Sequence, residues 1–191
     1  RTTNDDAALG RIVLPTRQVF QRVDASSFLT QSEDKLKYFA QSVLPQLEKQ
    51  EQKHTLLYIP SYFDFVAVRN LLLKRELDFV SVHEYSRESE VSRGRARFLQ
   101  GRKPWMLFTG RAYYFLRHII KGARHVVFYG IPEHAAFYAD HVNRLDGDNE
   151  QQDNSCFVLF TKYEAHALER VVGRQNANRM IQGEKTTFLF N

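Results

Sequence analysis

The chain has 191 residues, a net charge of +5, 43% hydrophobic and 26% charged residues, and only 9 Gly and 5 Pro. That length and balance fit one globular domain with a real core and exclude a disordered or low-complexity chain. No apolar run approaches the roughly 18 residues needed to cross a bilayer, so no membrane partner is expected. Residues 1–10 lack the apolar stretch of a secretory signal. Position 1 is Arg rather than Met, which leads us to expect a longer protein with upstream domains.

In chain order, residues 12–15 read as a short extended piece, followed by a polar stretch to Gln31. Residues 35–52 carry Leu36, Phe39, Ala40, Val43, Leu44 and Leu47 at helical spacing, with Pro45 expected to kink or divide the helix. Apolar runs at 56–61, 79–83, 105–109, 125–129 and 156–161 read as buried strands, and 186–190 as a last strand. Between them, residues 63–75, 90–100, 112–121, 133–145 and 164–172 read as helices. Residues 146–154 form a polar loop without apolar residues. This alternation predicts βαβ units and an α/β fold with a mostly parallel sheet covered on both faces. A leading arm or linker is expected at 1–33 and the α/β domain at 34–191.

Ligands in such sheets bind at the C-terminal ends of the strands. The expected rim therefore holds Ser61, Tyr62, His83, Glu84, Tyr85, Thr109, Gly110, Arg111 and Gly130. Between Arg87 and His125, ten basic residues face two acidic ones, a net of +8 that leaves −3 for the rest. Two readings fit this bias: a polyanionic partner, whose phosphates release counterions on binding, or solvated arginines on ordinary helix faces. Among the aromatic residues near the rim, Phe63, Phe65 and Phe115 are expected in the core. Tyr62 and Tyr113 are the candidates for stacking on bases.

Signals for catalysis are weak. The phosphate-cradling GxxxxGK[ST] string, a GxGxxG turn after a strand, GxSxG, HExxH and paired CxxC are all absent from the sequence. His134 and His141 share a helix face beside Asp140, but no third metal ligand is signalled, so they read as packing or surface histidines. His83 and Glu84 form an ordinary strand-end pair. The single Cys156 excludes an internal disulfide, fits a reducing compartment, and in an apolar run reads as a buried, inert thiol. No catalytic residue, metal or cofactor is expected.

The order of elements resembles the second RecA-like lobe of a superfamily 2 RNA helicase. Ile59-Pro60-Ser61-Tyr62-Phe63-Asp64-Phe65, then Phe98-Leu99-Gln100-Gly101, then Leu107-Phe108-Thr109, then the 125–132 strand carry the likeness. Tyr58-Ile-Pro-Ser-Tyr-Phe-Asp-Phe-Val, Glu90-Val-Ser-Arg-Gly-Arg-Ala-Arg-Phe, Thr109-Gly-Arg-Ala-Tyr-Tyr-Phe and Gly122-Ala-Arg-His-Val-Val-Phe-Tyr-Gly-Ile-Pro together resemble the digestive organ expansion factor family. These are nucleolar, helicase-like components of the small-subunit processome. The resemblance implies a three-layer αβα RecA-like domain and a role in 18S rRNA maturation in the nucleus and nucleolus. The partners it implies are pre-rRNA or small nucleolar RNA, other processome proteins and a preceding RecA-like lobe.

The sequence departs from an active helicase lobe at three places. The HRxGRxxR helix, whose arginines reach the ATP γ-phosphate, is replaced by Phe137-Tyr-Ala-Asp-His-Val-Asn-Arg144. Gly110-Arg111-Ala112-Tyr113 stands in place of the motif V pattern after Thr109, and the QxxR pair falls on Glu88 and Val91. A non-catalytic, pseudo-helicase lobe that binds RNA or ribonucleoprotein is therefore expected. The nucleic-acid-binding candidates are Ser61, Tyr62, Arg93, Arg95, Arg97, Thr109, Gly110, Arg111 and Tyr113, with contacts chiefly to the sugar-phosphate backbone. An ATPase half dependent on a missing lobe and a pure protein-docking scaffold remain alternatives.

Overall fold

The computed structural model describes residues 7–147 and 153–191. The first six residues of the expected arm, and residues 148–152 of the polar loop at 146–154, lie outside them. Among these residues, seven strands and eight α-helices follow in the order β1 (Gln18–Arg22), α1 (Gln31–Tyr38), α2 (Leu44–Lys49), β2 (Thr55–Ile59), α3 (Tyr62–Lys74), β3 (Phe79–Val82), α4 (Glu88–Leu99), β4 (Trp105–Thr109), α5 (Gly110–Leu116), β5 (His125–Tyr129), α6 (Ala135–Asn143), β6 (Ser155–Phe160), α7 (Ala165–Val172), α8 (Arg174–Gln182) and β7 (Thr187–Phe190). One sheet takes them all in the order β3-β4-β2-β5-β6-β1-β7. The first six are parallel neighbours and β7 runs antiparallel to β1, which gives the mostly parallel sheet that the alternation predicts.

Side chains of a strand alternate between faces, so each apolar run feeds two cores. Leu56, Tyr58, Met106, Phe108, Val126 and Phe128 meet Phe98 of α4, Ala112 and Tyr113 of α5, Tyr138 of α6 and Leu168 of α7. Leu57, Ile59, Leu107, Val127 and Tyr129 meet Phe39, Leu44 and Leu47 on one side, and Phe65, Val68 and Leu72 of α3 on the other. The result is an αβα stack. Among the described residues, no helix is long and apolar enough to cross a membrane.

Several local readings are corrected. The polar stretch within the 1–33 arm contains β1, hydrogen-bonded between β6 and β7. Its inward positions are Gln18, Phe20 and Arg22, so hydrophobic alternation is silent there. Arg22 is buried because its guanidinium donates to Met180 O (2.7 Å), Gly183 O (2.8 Å) and Asp24 Oδ1 (2.8 Å). Gln18 accepts from the Tyr138 hydroxyl. Residues 12–15 form no strand; instead Val13 N donates to Asn143 Oδ1 at 2.8 Å. The 35–52 helix starts at Gln31 and is divided as Pro45 requires. A π turn, Phe39–Val43, closes with Leu44 N donating to Phe39 O, and the α-helix restarts with Pro45 in its first turn, where its missing N–H costs nothing. Helix α8 is unanticipated, since among its residues only Ala177 and Met180 are buried.

Where β2 parts from its neighbours, the connections diverge. β2 hands the chain to α3 on one face, while β4 and β5 hand it to α5 and α6 on the other. Right-handed crossovers demand this separation, and it opens a crevice at the C-terminal ends of the strands.

Because Arg22 ties the end of α8 to β1 by charge-assisted bonds away from water, Arg22→Ala leaves those carbonyls unpaired. We expect a loss of roughly 3 kcal/mol of unfolding free energy in urea titrations, with Arg22→Lys recovering only part because an ammonium cannot fork.

Candidate nucleic-acid interface

Two capped turns build the crevice. After β2, Ser61 Oγ accepts from Asp64 N (3.4 Å) and starts α3, leaving Tyr62 half-buried and Phe63 72% exposed. After β4, the buried Thr109 Oγ1 accepts from Ala112 N (3.2 Å) and starts α5 at Gly110. A Cβ at Gly110 would lie 3.2 Å from Pro60 Cα and O and 3.1 Å from the Tyr58 hydroxyl, so glycine lets the two turns pass this closely. The cleft between them has a volume of about 620 Å³, with Pro60, Phe63, Arg111, Tyr114, Phe115 and His134 among its walls.

Its side chains are mutually braced. Arg111 lies 5.5 Å over the Phe115 ring, and its Nε is 3.7 Å from Glu84 Oε2, whose carboxylate oxygens are buried without a hydrogen bond. Tyr114 stacks on His134 (5.2 Å, 18°). Arg117 lies 4.8 Å over Phe137 and 5.8 Å over Tyr114. Tyr85, 74% exposed, packs edge-on against Tyr62 at 5.3 Å. Phe115 is 60% and Tyr114 47% exposed.

Of the sequence-derived candidates, Ser61, Tyr62, Gly110 and Arg111 converge on this cleft. Two are corrected. Thr109 is fully buried, its hydroxyl spent on the α5 cap, and Tyr113 is only 2% exposed. Arg93, Arg95 and Arg97 ride on α4 outside the cleft walls. At about 1.5 Å per residue, Arg97 lies roughly 13 Å along the helix from its rim end. Arg93 and Arg97 are exposed, whereas Arg95 donates to Ile119 O (2.8 Å) and pins the segment after α5. Phe65 is in the core as expected, but Phe63 and Phe115 are not. The missed signal is the Thr109 cap. It starts α5 at Gly110 rather than Ala112, and that phase turns Tyr113 inward and Tyr114 and Phe115 out.

The helix after β5 is equally committed inward. Tyr113 Oη donates to Asp140 Oδ2 (2.7 Å) and accepts from Arg144 Nη1 (2.9 Å), while the Arg144 guanidinium lies 5.8 Å over the Tyr113 ring. Burial, then the Asp140 hydrogen bond, raises the Tyr113 pKa.

A family model described as Utp25, C-terminal domain, matches residues 8–190. The chain belongs to this family. The human protein named U3 small nucleolar RNA-associated protein 25 homolog is 40% identical over 185 residues, covering 96% of the chain but 24% of that protein. The chain thus spans about a quarter of the length of the curated relatives it matches. Among solved structures, the E. coli DEAD-box protein SrmB, bound to regulator of ribonuclease activity A, matches with a TM-score of 0.59 at 15% identity, covering 83% of this chain and 85% of that one. The C-terminal domain of the DEAD-box protein Dbp5 matches with a TM-score of 0.57 at 16% identity over 76% of each chain. These likenesses show a RecA-like αβα fold, the fold that the sequence resemblance implied.

The histidines of this Utp25-family domain sit in contrasting places. His134 is on the surface against Tyr114, while His141 is buried among Tyr58 (4.8 Å), Tyr113 (4.6 Å) and Phe108 (5.8 Å) with its Nε2 unpaired. His83 accepts from Tyr85 N (3.1 Å), and burial lowers its pKa, which favours the neutral ring. Cys156 is buried 3.6 Å from the Tyr138 hydroxyl, and burial pushes its thiol up to about 12.

For His141, burial and then Arg144 lower the pKa to about 3 from an ordinary 6.5. The folded state therefore holds the ring neutral. This stability is complete above pH 6.5 and drains away as pH falls from 6.5 toward 3, at up to about 1.4 kcal/mol per pH unit. We expect His141→Phe to flatten the acid limb of a stability–pH curve by about one proton, read from urea midpoints between pH 6.5 and 4.5.

Proposed function

We propose that this chain is a RecA-like lobe that binds RNA or ribonucleoprotein without hydrolysing nucleotide, in the service of 18S rRNA maturation within the nucleolar small-subunit processome. The observation that carries the reading is the rim of exposed rings braced by Arg111 and Arg117 at the point where β2 and its neighbours part. Rings and guanidiniums side by side suit a nucleic acid, which offers both π faces and phosphates. Family membership and the relatives' names, which tie them to U3 small nucleolar RNA, supply the biological setting. The motif likeness to the digestive organ expansion factor family is the finer form of the same assignment. Pre-rRNA or small nucleolar RNA, other processome proteins and a preceding RecA-like lobe are the proposed partners.

The non-catalytic part of the reading rests on Arg144. A second lobe contributes arginines to the γ-phosphate; here Arg144, at the C-terminal end of α6, donates to the Tyr113 hydroxyl. Arg93, Arg97 and Arg111 are proposed to meet phosphates.

Fluorescence anisotropy with labelled RNA checks this. Arg93→Glu/Arg97→Glu/Arg111→Glu should weaken binding at least ~tenfold and flatten the salt dependence by about 0.7 log units per lost contact on a single strand. An unchanged affinity and slope refute the assignment and favour a protein-docking scaffold. RNA-stimulated ATP turnover by the full-length protein that disappears in Arg144→Ala refutes the non-catalytic reading.

A further inference from the structure

We infer that the cleft between the 60–63 turn and α5 holds unstacked bases of single-stranded RNA, so that this lobe grips its ligand through rings as well as through the sugar-phosphate backbone. The inference rests on the RNA-binding reading above and gives it a ligand class. Folding gains nothing from leaving Phe63, Tyr114 and Phe115 in water, and three such rings around one concavity are a cluster, unlike the scattered apolar residues of an ordinary surface.

The lining decides between ligands. The cleft has six Tyr and Phe rings, His134 and Pro60, and no Leu, Ile, Val or Met. A groove for an apolar helix of a partner protein is built on aliphatic side chains that interdigitate; flat rings suit flat ligands. Its Arg and carboxylate groups are one of each sign, Arg111 and Glu133, rather than a cluster of cations. That is a poor seat for phosphate and a good one for a base edge, which carries donors and acceptors together. The phosphates fall to the exposed guanidiniums of Arg93 and Arg97 outside the walls and of Arg111 at their edge. Two platforms are also fixed before any ligand arrives: Tyr114 lies flat on His134, and Phe115 sits under an Arg111 that Glu84 draws to one side. Preorganised rings lose little freedom on binding. A duplex, whose base faces are already stacked, offers nothing to such rings.

The experiment compares the chain with Phe63→Ala/Phe115→Ala and Phe63→Trp/Phe115→Trp. The probes are a fluorescent adenosine-rich single strand, the same strand with abasic sites, and the corresponding duplex. Both positions are exposed, so thermal melts should match the parent. We expect the alanine pair to lose ~10- to 100-fold in affinity for the intact single strand and the tryptophan pair to retain it. The parent should bind the abasic strand and the duplex as weakly as the alanine pair binds the intact strand. Tight binding of the abasic strand or the duplex, or an alanine pair that binds the intact strand like the parent, overturns the base-stacking inference and leaves RNA binding standing. A parent that binds none of the three overturns the RNA-binding reading along with it.

Discussion

Parallel strands can be joined only by crossovers of one hand, so the order in which the chain visits the sheet dictates the face on which each helix lies. In this domain β2 is followed by a strand two places to one side, and β4 by a strand two places to the other. α3 and α5 are forced onto opposite faces, and the turns leading into them must part. The cleft is that parting. Everything at its edge, including the close pass of Gly110 over Pro60 and the outward throw of α5, follows from closing two helices as near as possible to a gap that cannot be shut.

The interior shows how a polar inheritance is accommodated once it no longer faces solvent. Tyr113, Asp140 and Arg144 satisfy one another at the margin of an aromatic core, so the arginine contributes to the packing of α5 against α6. Leaving any of the three unpaired there would cost more than the network gains, which makes the trio a unit. His141 is its apolar counterpart, a titratable ring used for its shape.

Much of this was legible in the residues. β4 and β5 fall where their apolar runs place them, because a strand buried on both faces has no other pattern to show. Pro45 announced the break between α1 and α2, though not that a π turn would take it up. β1 was illegible because Gln18 and Arg22 occupy inward positions and find their partners far along the chain, at Tyr138 and in α8. The rim was legible as a place and misread in its side chains. In Tyr113-Tyr114-Phe115 three consecutive rings give no phase of their own, and the one-residue difference between burial and exposure is set by where Thr109 caps the helix. Phe63 and Phe65 are two apart on a helix, so they cannot share a face, yet composition gives both the same expectation.

The placement of β1 bears on how the molecule is made. Gln18 pairs with Cys156 on one side and with Phe190 on the other. Of the described strands, the first in chain order is therefore seated between the last two, and no folding unit drawn only from the early part of this domain can include it. β2 to β5 can assemble as their helices emerge, while the far third of the sheet waits for the final strand. The loops closed in doing so span most of the domain, which makes the seating of β1 the slow, entropically costly step of its folding. Until then Phe20 and its neighbours on β6 are open apolar surface.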